Sequence, residues 1–143
     1  GYAESVKKYL KTTLKEIAPA EINLPERNKK GKNIPQHYAE SVKKYIQAAE
    51  QGDAKAQFCL GEMYKEGKGV PPNDAEAVKW FRRSALQGIA DAQFHLGFNY
   101  FFGIGVPQDD IEAIKWYRKA ANQGHVDARN ILDMMRNEGK CIP

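Results

Sequence analysis

Apolar residues recur at helical spacing along most of the chain, and turns rich in glycine and proline interrupt them at regular intervals. Ala56, Leu60 and Tyr64 lie four residues apart, which places them on one face of a helix. A second apolar stripe follows after the next turn, formed by Ala77, Val78, Phe81 and Ala85. The pattern therefore predicts two helices joined by a turn.

The residues between these stripes favour a sharp break in the helix. Gly67 and Gly69 supply positions where a positive φ costs little, and Pro71 prevents the first helix from continuing. Asp74 is a suitable N-cap for the second helix. Glycines at the far end are predicted to terminate the second helices, and they are Gly52, Gly88 and Gly124.

The whole pattern repeats every 36 residues. Residues 48–83 and 84–119 align without a gap, and 20 of the 36 positions are identical. The segment 2–9 recurs at 38–45 with the same offset, and a further copy begins at Ala120. Because a lone helix pair cannot bury its apolar face, the repeat predicts a linear stack of helix pairs.

The period divides the chain into units of one solenoid domain. They are a degenerate N-terminal portion 1–47, two full repeats 48–83 and 84–119, and a C-terminal partial repeat 120–143 with one helix and a turn. Pro19 and Pro25 lie where a first helix would run. We therefore expect an irregular segment over about 13–37.

The repeated motifs resemble those of the Sel1-like repeat, a relative of the tetratricopeptide repeat. The resemblance rests on the blocks A-x-x-x-L-G-x-x-Y, G-x-G-V-P and D-x-E-A-[VI]-K-W-[FY]-[RK], and it is most specific over residues 48–119. It implies an all-α, right-handed superhelix of helix pairs. It also implies a scaffold that binds another protein or peptide, and many members are bacterial.

Composition and charge exclude two classes of partner. The chain of 143 residues is 42% hydrophobic and 28% charged, and no window approaches about 18 uninterrupted apolar residues. We therefore expect no membrane span. The net charge of +4 lies in residues 1–51, whereas residues 52–143 carry twelve charges of each sign. We expect no nucleic-acid binding, because the regular repeats have no basic excess.

No catalytic or metal-binding pattern is present in the sequence. The chain has no G-x-S-x-G, Walker or H-E-x-x-H motif. Its glycine-rich turn follows a helix and recurs with the period, so it is no nucleotide cradle. Cys59 and Cys141 lie two repeats apart, too far for a disulfide. His37, His95 and His125 lack zinc-like spacing. We expect a protein without enzymatic activity, cofactor or metal.

The positions that differ between repeats are the candidates for function, because shared positions serve the fold. In tetratricopeptide-like solenoids the first helix of each pair lines the concave surface, so we expect a partner to bind there. The predicted partner-binding residues are Lys55, Cys59, Glu62, Glu66, Asp91, His95, Phe98, Asn99, Phe101, Phe102, Ile131 and Met134.

Phe98, Phe101 and Phe102 replace three charged residues of the preceding repeat. Two interpretations remain open. If the rings are exposed together, they form an apolar patch of the kind that marks an interface. Alternatively, they pack against the next repeat or the N-terminal segment.

Other functions are compatible with the same sequence. An envelope module that recognises glycan or peptidoglycan would expose Trp80 and Trp116. A toxin-neutralising protein or a secretion-related regulator would use the scaffold itself. The near-identical segments 2–9 and 38–45, or open solenoid ends, would support self-association. The compartment stays open, since no signal-like segment precedes Lys7 and the chain could be cut from a longer array.

Overall fold

The computed structural model describes residues 36–138, and this part of the chain contains six α-helices and no strand. The helices are α1 (Gln36–Glu50), α2 (Ala54–Glu66), α3 (Asp74–Leu86), α4 (Ala90–Phe102), α5 (Asp110–Asn122) and α6 (Val126–Asn137). Each helix packs chiefly against the helices before and after it in the sequence. The prediction of an all-α helical repeat fold is confirmed.

The described residues correct one predicted boundary. Helix α1 begins at Gln36, inside the segment 13–37 that was expected to be irregular. Gln36 directly follows Pro35 in the sequence, and proline is well tolerated where a helix begins. The rest of that segment with its three prolines lies outside the described residues, and so do the copy at 2–9 and the last turn with Cys141.

Side-chain capping determines where four of the helices begin. The Asp53 carboxylate accepts a hydrogen bond of 3.0 Å from the Ala56 backbone N–H at the start of α2. Asn73 and Asp109 cap α3 and α5 in the same way, and His125 caps α6. The cap of α3 is thus Asn73 rather than the predicted Asp74, which belongs to the first turn.

The turn within each helix pair depends on a left-handed glycine. Gly67 and Gly103 follow α2 and α4 with φ values of 72° and 67°. Their backbone N–H groups donate to the carbonyls of Met63 and Asn99. The prediction that glycine ends the first helices is confirmed by this geometry.

Inside each helix pair, a glycine of the first helix lies against an aromatic ring of the second. A Cβ placed on Gly61 would lie 2.7 Å from the Phe81 ring, and one on Gly97 would lie 2.9 Å from the Tyr117 ring. Both rings are fully buried, so neither is free to move aside. The two helices of a pair therefore approach closely at these glycines.

The repeated tryptophans are also part of the packing. Trp80 and Trp116 are only 4% and 5% exposed. The guanidinium of Arg83 lies 4.8 Å from the Trp80 ring centre, and the Lys119 ammonium lies 4.7 Å from the Trp116 ring centre. These cations cover the rings from the solvent side. Both tryptophans are therefore part of the packing between helices.

A hydrogen-bond network of glutamines joins each repeat to the next. The buried Gln57 amide donates to the Ala49 carbonyl at 3.0 Å. The Gln87 amide donates to Gln57 Oε1 at 2.8 Å and to the Gly52 carbonyl at 2.9 Å. Three equivalent bonds recur 36 residues later, among Ala85, Gly88, Gln93 and Gln123. Buried amides are therefore satisfied across the repeat boundary.

The core consists of three clusters that follow one another along the stack. The first is centred on Leu60, Met63 and Trp80, and the second on Val78, Leu96 and Trp116. The third, here called the C-terminal core, contains Phe94, Phe101, Ala113, Tyr117, Ala120, Ala128, Ile131, Leu132 and Met135. Each cluster draws on successive helices, so burial in one repeat depends on its neighbour.

The glycine contact leads to a stability prediction with a matched control. Gly97→Ala should lower the free energy of unfolding by up to about 2 kcal/mol. Overpacking costs about 1–3 kcal/mol, whereas helix propensity favours alanine by about 1 kcal/mol. Asp133 occupies the same repeat position in α6 and is exposed. Urea unfolding of Asp133→Ala should therefore show no loss. A Gly97→Ala protein more stable than wild type would contradict the close contact.

Candidate interaction surface

All twelve predicted partner-binding residues lie on the first helices α2, α4 and α6, but half of them are buried. The buried ones are Cys59, Glu62, His95, Asn99, Phe101 and Ile131. These six side chains lie inside the stack: Glu62 of α2 meets His95 of α4, and Phe101 and Ile131 belong to the C-terminal core. For these six residues, the expectation that a partner can reach the side chain is corrected.

Glu62 and His95 form an ion pair across the boundary between the two full repeats. Glu62 Oε1 lies 2.8 Å from His95 Nε2, and both side chains are 2% exposed. The two atoms are close but do not form a well-aligned hydrogen bond. Residues 33 positions apart in the sequence thus hold α2 against α4.

The surroundings of this pair are aromatic. The His95 ring stacks on Phe81 with centroids 5.1 Å apart, and Phe58 and Phe94 meet its ring at steep angles. Burial on its own would raise the pKa of the Glu62 carboxyl. The charge and hydrogen-bonding capacity of His95, with help from Lys65, outweigh burial and lower the pKa of Glu62.

A second pair joins α4 to α6. His125 Nε2 lies 2.9 Å from Asp91 Oδ1, and the His125 ring stacks on Phe94 with centroids 4.7 Å apart. Asp91 keeps 55% of its side chain exposed. The hydrogen bond from His125 lowers the pKa of Asp91, although burial acts in the opposite direction. Asp91 is therefore both a contact between repeats and an accessible acid.

The three phenylalanines divide into one interior ring and two surface rings. Phe101 is buried in the C-terminal core, whereas Phe98 and Phe102 are half-buried and pack against that core. The rings of Phe98 and Phe102 lie 4.7 Å apart, and Phe101 meets Phe102 at 4.8 Å. All three rings thus pack against the C-terminal core, and part of the Phe98 and Phe102 rings is still exposed.

Asn99 has a structural role next to these rings. Its buried amide donates a hydrogen bond of 2.9 Å to the carbonyl of Ile104, in the turn that follows α4. Met63 occupies the same position in the preceding repeat and has no amide to give. Asn99 therefore stabilises the turn below Phe101 and Phe102, rather than facing a partner.

The remaining predicted residues are accessible but dispersed. Lys55 and Glu66 are exposed, and they lie in the first and last turns of α2. Eleven helical residues separate them, which corresponds to about 16 Å along the axis. Met134 is half-buried on α6, at the repeat position of Phe98. The accessible set therefore consists of two charges on α2, Asp91, the two surface rings and Met134.

Two alternatives can be compared with these positions. The glycan-recognition hypothesis required exposed Trp80 and Trp116, and both are buried, so that expectation is wrong. Within residues 36–138, no group of three or more metal-ligating side chains converges. In the same range, no helix is long and apolar enough to cross a bilayer.

The helix pairs, their glycine contacts and the glutamine networks define a protein of the helical-repeat solenoid class. The model of the Sel1 repeat matches residues 27–53, 54–89 and 90–125, more than half of the chain. The chain belongs to the Sel1 repeat family, whose members are typically modules for protein–protein interaction and are generally non-catalytic. The second and third matched repeats begin with α2 and α4, six residues after the predicted units 48–83 and 84–119.

Solved structures show the same architecture. The chain is 38% identical to c5321, a protective antigen of uropathogenic Escherichia coli strains that displays an SLR fold. The match covers 96% of this chain and 26% of that one, with a TM-score of 0.70. The chain is also 42% identical to a Sel1 repeat protein from Oxalobacter formigenes. That match covers 68% of this chain and 28% of the other, with a TM-score of 0.67. The chain thus spans about a quarter of each.

A more distant structure agrees in fold alone. Helicobacter pylori cysteine rich protein B is 21% identical, with a TM-score of 0.62. That match covers 90% of this chain and 96% of the other. No curated protein matches the sequence. The comparisons therefore establish the family and the architecture.

The ionic contacts between repeats escape a comparison of repeats position by position. Glu62 and Asp91 each meet a histidine of the following repeat, at separations of 33 and 34 residues. Comparing position i+3 of one repeat with position i of the next would have aligned Glu62 with His95. The sequence signal for these contacts is a carboxylate in one repeat and a histidine 33 or 34 residues later, slightly less than the 36-residue period.

The Asp91 contact predicts an acid-dependent part of the stability. Because its pKa is lowered in the folded chain, ionised Asp91 stabilises fully above its ordinary value of 3.8, and this contribution is lost as pH falls through the lowered pKa. Asp91→Asn should therefore lose less stability than wild type between pH 5 and pH 2. Asp133→Asn, at an exposed ion pair, is the control. Identical acid profiles for wild type and Asp91→Asn in urea unfolding would refute the assignment.

Proposed function

We propose that this chain is a non-catalytic scaffold that binds another protein or peptide on the face formed by α2, α4 and α6. The observation that carries the proposal is the pair of half-exposed rings, Phe98 and Phe102, whose centroids lie 4.7 Å apart. Neighbouring aromatic side chains with one face buried and one accessible are typical anchors of protein interfaces.

The position of these rings in the repeat supports a specific role. The preceding repeat has Glu62 and Glu66 at the corresponding positions. Glu66 is exposed there, so the stack forms with a charge at the position of Phe102. An apolar ring at a position that tolerates a charge is therefore not a general requirement of the fold.

Residues around the rings extend the surface. Asp91 lies seven residues before Phe98 on α4, which places it on the same helix face about 10 Å away. Met134 takes the corresponding place on α6 and is half-buried. The resulting strip has an apolar centre with an acidic end. It suits a partner segment that combines apolar side chains with a basic group.

The histidines also favour a scaffold over an enzyme. His95 is buried against Glu62, and His125 both caps α6 and contacts Asp91. Both imidazoles are thus engaged in joining repeats. Among the residues whose side chains the structure describes, the imidazoles that could transfer protons at neutral pH contact neighbouring repeats rather than an open cleft.

The decisive variant is Phe102→Glu, which copies the residue of the preceding repeat. We expect it to keep its helicity and melting temperature, because the equivalent position already accommodates a charge. Its affinity for the partner should fall at least about ten-fold, as expected for loss of an interface anchor. Affinity capture from the native source, followed by titration with the recovered partner, measures both properties.

The matched control is Ile111→Ser, which removes an apolar side chain that is 80% exposed on α5. It should bind as the wild type does. The double variant Phe98→Ser/Phe102→Ser should lose partner capture while it remains folded. Unchanged binding by Phe102→Glu would contradict the proposed surface. The proposal would also fail if every phenylalanine variant that loses binding also loses its helicity.

A further inference from the structure

One side-chain contact recurs where a second helix packs against the first helix that follows it. Between α1 and α2, Ile46 and Tyr64 pack against the same core cluster. Between α3 and α4, the Arg82 guanidinium donates a hydrogen bond to the Tyr100 hydroxyl and lies 5.7 Å from the centre of its ring. The two residues of each pair are 18 positions apart in the sequence. This spacing therefore marks a contact across the boundary between helices.

At the α5–α6 boundary, the same spacing joins two arginines. Arg118 on α5 takes the repeat position of Arg82, and Arg136 on α6 takes that of Tyr100. A guanidinium has N–H donors and no acceptor, so Arg136 cannot replace the hydroxyl that accepts the bond from Arg82. Two like charges thus occupy the place of a hydrogen-bonded pair.

The α5–α6 boundary has the same geometry as the α3–α4 boundary. Gly88 and Gly124 turn the chain with φ values of 96° and 89°. The residue after each glycine donates its backbone N–H to the carbonyl five residues earlier, at 3.3 Å and 3.1 Å. The apolar contact positions also correspond, and they are Val78, Ala85, Ala92 and Leu96 at one boundary and Ile114, Ala121, Ala128 and Leu132 at the other. The register therefore brings the two arginines to the same place.

The positive charge of the arginine pair is only partly balanced. Arg136 Nη1 lies 4.0 Å from Asp133 Oδ1, and the two side chains are 67% and 55% exposed. An exposed ion pair at this distance is weak. Arg118 is half-buried, and in the part of the chain that the structure describes it has no hydrogen bond or ion pair. The cluster thus retains one net positive charge and a set of N–H donors without an acceptor.

We propose that Arg118 and Arg136 form a binding site for one carboxylate group, carried by an acidic segment of a partner peptide. Guanidinium groups bind carboxylates through parallel hydrogen bonds, and the planar fork of donors matches the two carboxylate oxygens. One carboxylate between the arginines offsets their like charges. It also matches the single net charge that remains after Asp133, whereas a phosphate group would bring a second negative charge.

This site is separate from the surface formed by Phe98 and Phe102, and it goes beyond the proposed function. Met134 marks the side of α6 that extends that surface. Arg136 lies two residues later, which is about 200° around the helix. An acidic segment at the arginine pair therefore occupies a different side of α6 from a ligand at the phenylalanines.

The chain provides its own matched variants. Arg136→Tyr restores the residue of the two preceding repeats and gives Arg118 the acceptor that Arg82 has. Arg118→Gln removes the half-buried guanidinium. Tyr100→Arg makes the opposite change at the α3–α4 boundary, where it places a second arginine beside Arg82. If the arrangement of two arginines is sufficient, this variant gains a second site.

The control for net charge is Arg129→Gln. Arg129 is exposed on α6, seven positions and about 10 Å before Arg136, and glutamine occupies its position in the two preceding repeats. The variant therefore removes the same charge from the same helix without changing the arginine pair.

The full chain is titrated with a hexaglutamate peptide and separately with inorganic phosphate, at constant ionic strength. NMR follows the Nε–Hε signals of the arginine side chains. In wild type, hexaglutamate should shift the signals of Arg118 and Arg136. Its affinity should fall at least about ten-fold in Arg136→Tyr and Arg118→Gln, because each variant removes charged hydrogen bonds. Arg129→Gln should change the affinity by less than about two-fold.

Three results would overturn the site. They are an unshifted Arg118 signal in wild type, an equal loss of affinity in Arg129→Gln and Arg136→Tyr, and shifts produced by phosphate but not by hexaglutamate. The wild-type titration does not depend on the folding of any variant. A second bound hexaglutamate in Tyr100→Arg, with shifts of the Arg82 signal, would support the arginine pair as the determinant of binding.

Discussion

The contact of a glycine with a buried aromatic ring inside each helix pair is the constraint on which the stack depends. Gly61 against Phe81, and Gly97 against Tyr117, leave no space for even a Cβ. This sets how closely the two helices of a pair approach. The tryptophans and the glutamine networks then meet their partners in the neighbouring repeat at consistent distances. If the two helices of a pair were farther apart, all of these contacts would lengthen at once.

With the pair geometry fixed, the first helices of successive repeats can carry different side chains at the same repeat position. Glu62 and His95 make one seam ionic, whereas Phe98 packs against an apolar core at the next. The same architecture therefore tolerates two chemistries at one repeat position. In a linear stack, each boundary contributes its own term to stability, so boundaries can differ without altering the fold.

The sequence was sufficient to predict the helix pairs, their turns and the stack, because these depend on local signals that recur every 36 residues. Gly67 adopts the predicted left-handed conformation for this reason. Exposure of the variable residues was not predictable in the same way. Cys59 and His95 are predicted partner-binding residues, and yet both are buried. Which part of a first helix meets the next one depends on the crossing geometry, and no local pattern encodes it.

The candidate surface is therefore smaller than the stripe of variable positions. Phe98 and Phe102 remain half-exposed, whereas Phe101, in the same run of aromatic residues, is buried. Because all three residues are phenylalanines, the sequence could not show which of them is buried and which are exposed. Phe101 belongs to the C-terminal core, whereas Phe98 and Phe102 only pack against it, so part of each of these two rings stays at the surface.

Hydroxyl-radical footprinting of the free protein tests this division most directly, because it reports the accessibility of each ring without a partner. The account predicts that Phe98 and Phe102 are oxidised several-fold faster than Phe101, Trp80 and Trp116 once intrinsic reactivities are considered. Equal protection of all the phenylalanines, or faster oxidation of Phe101, would contradict it.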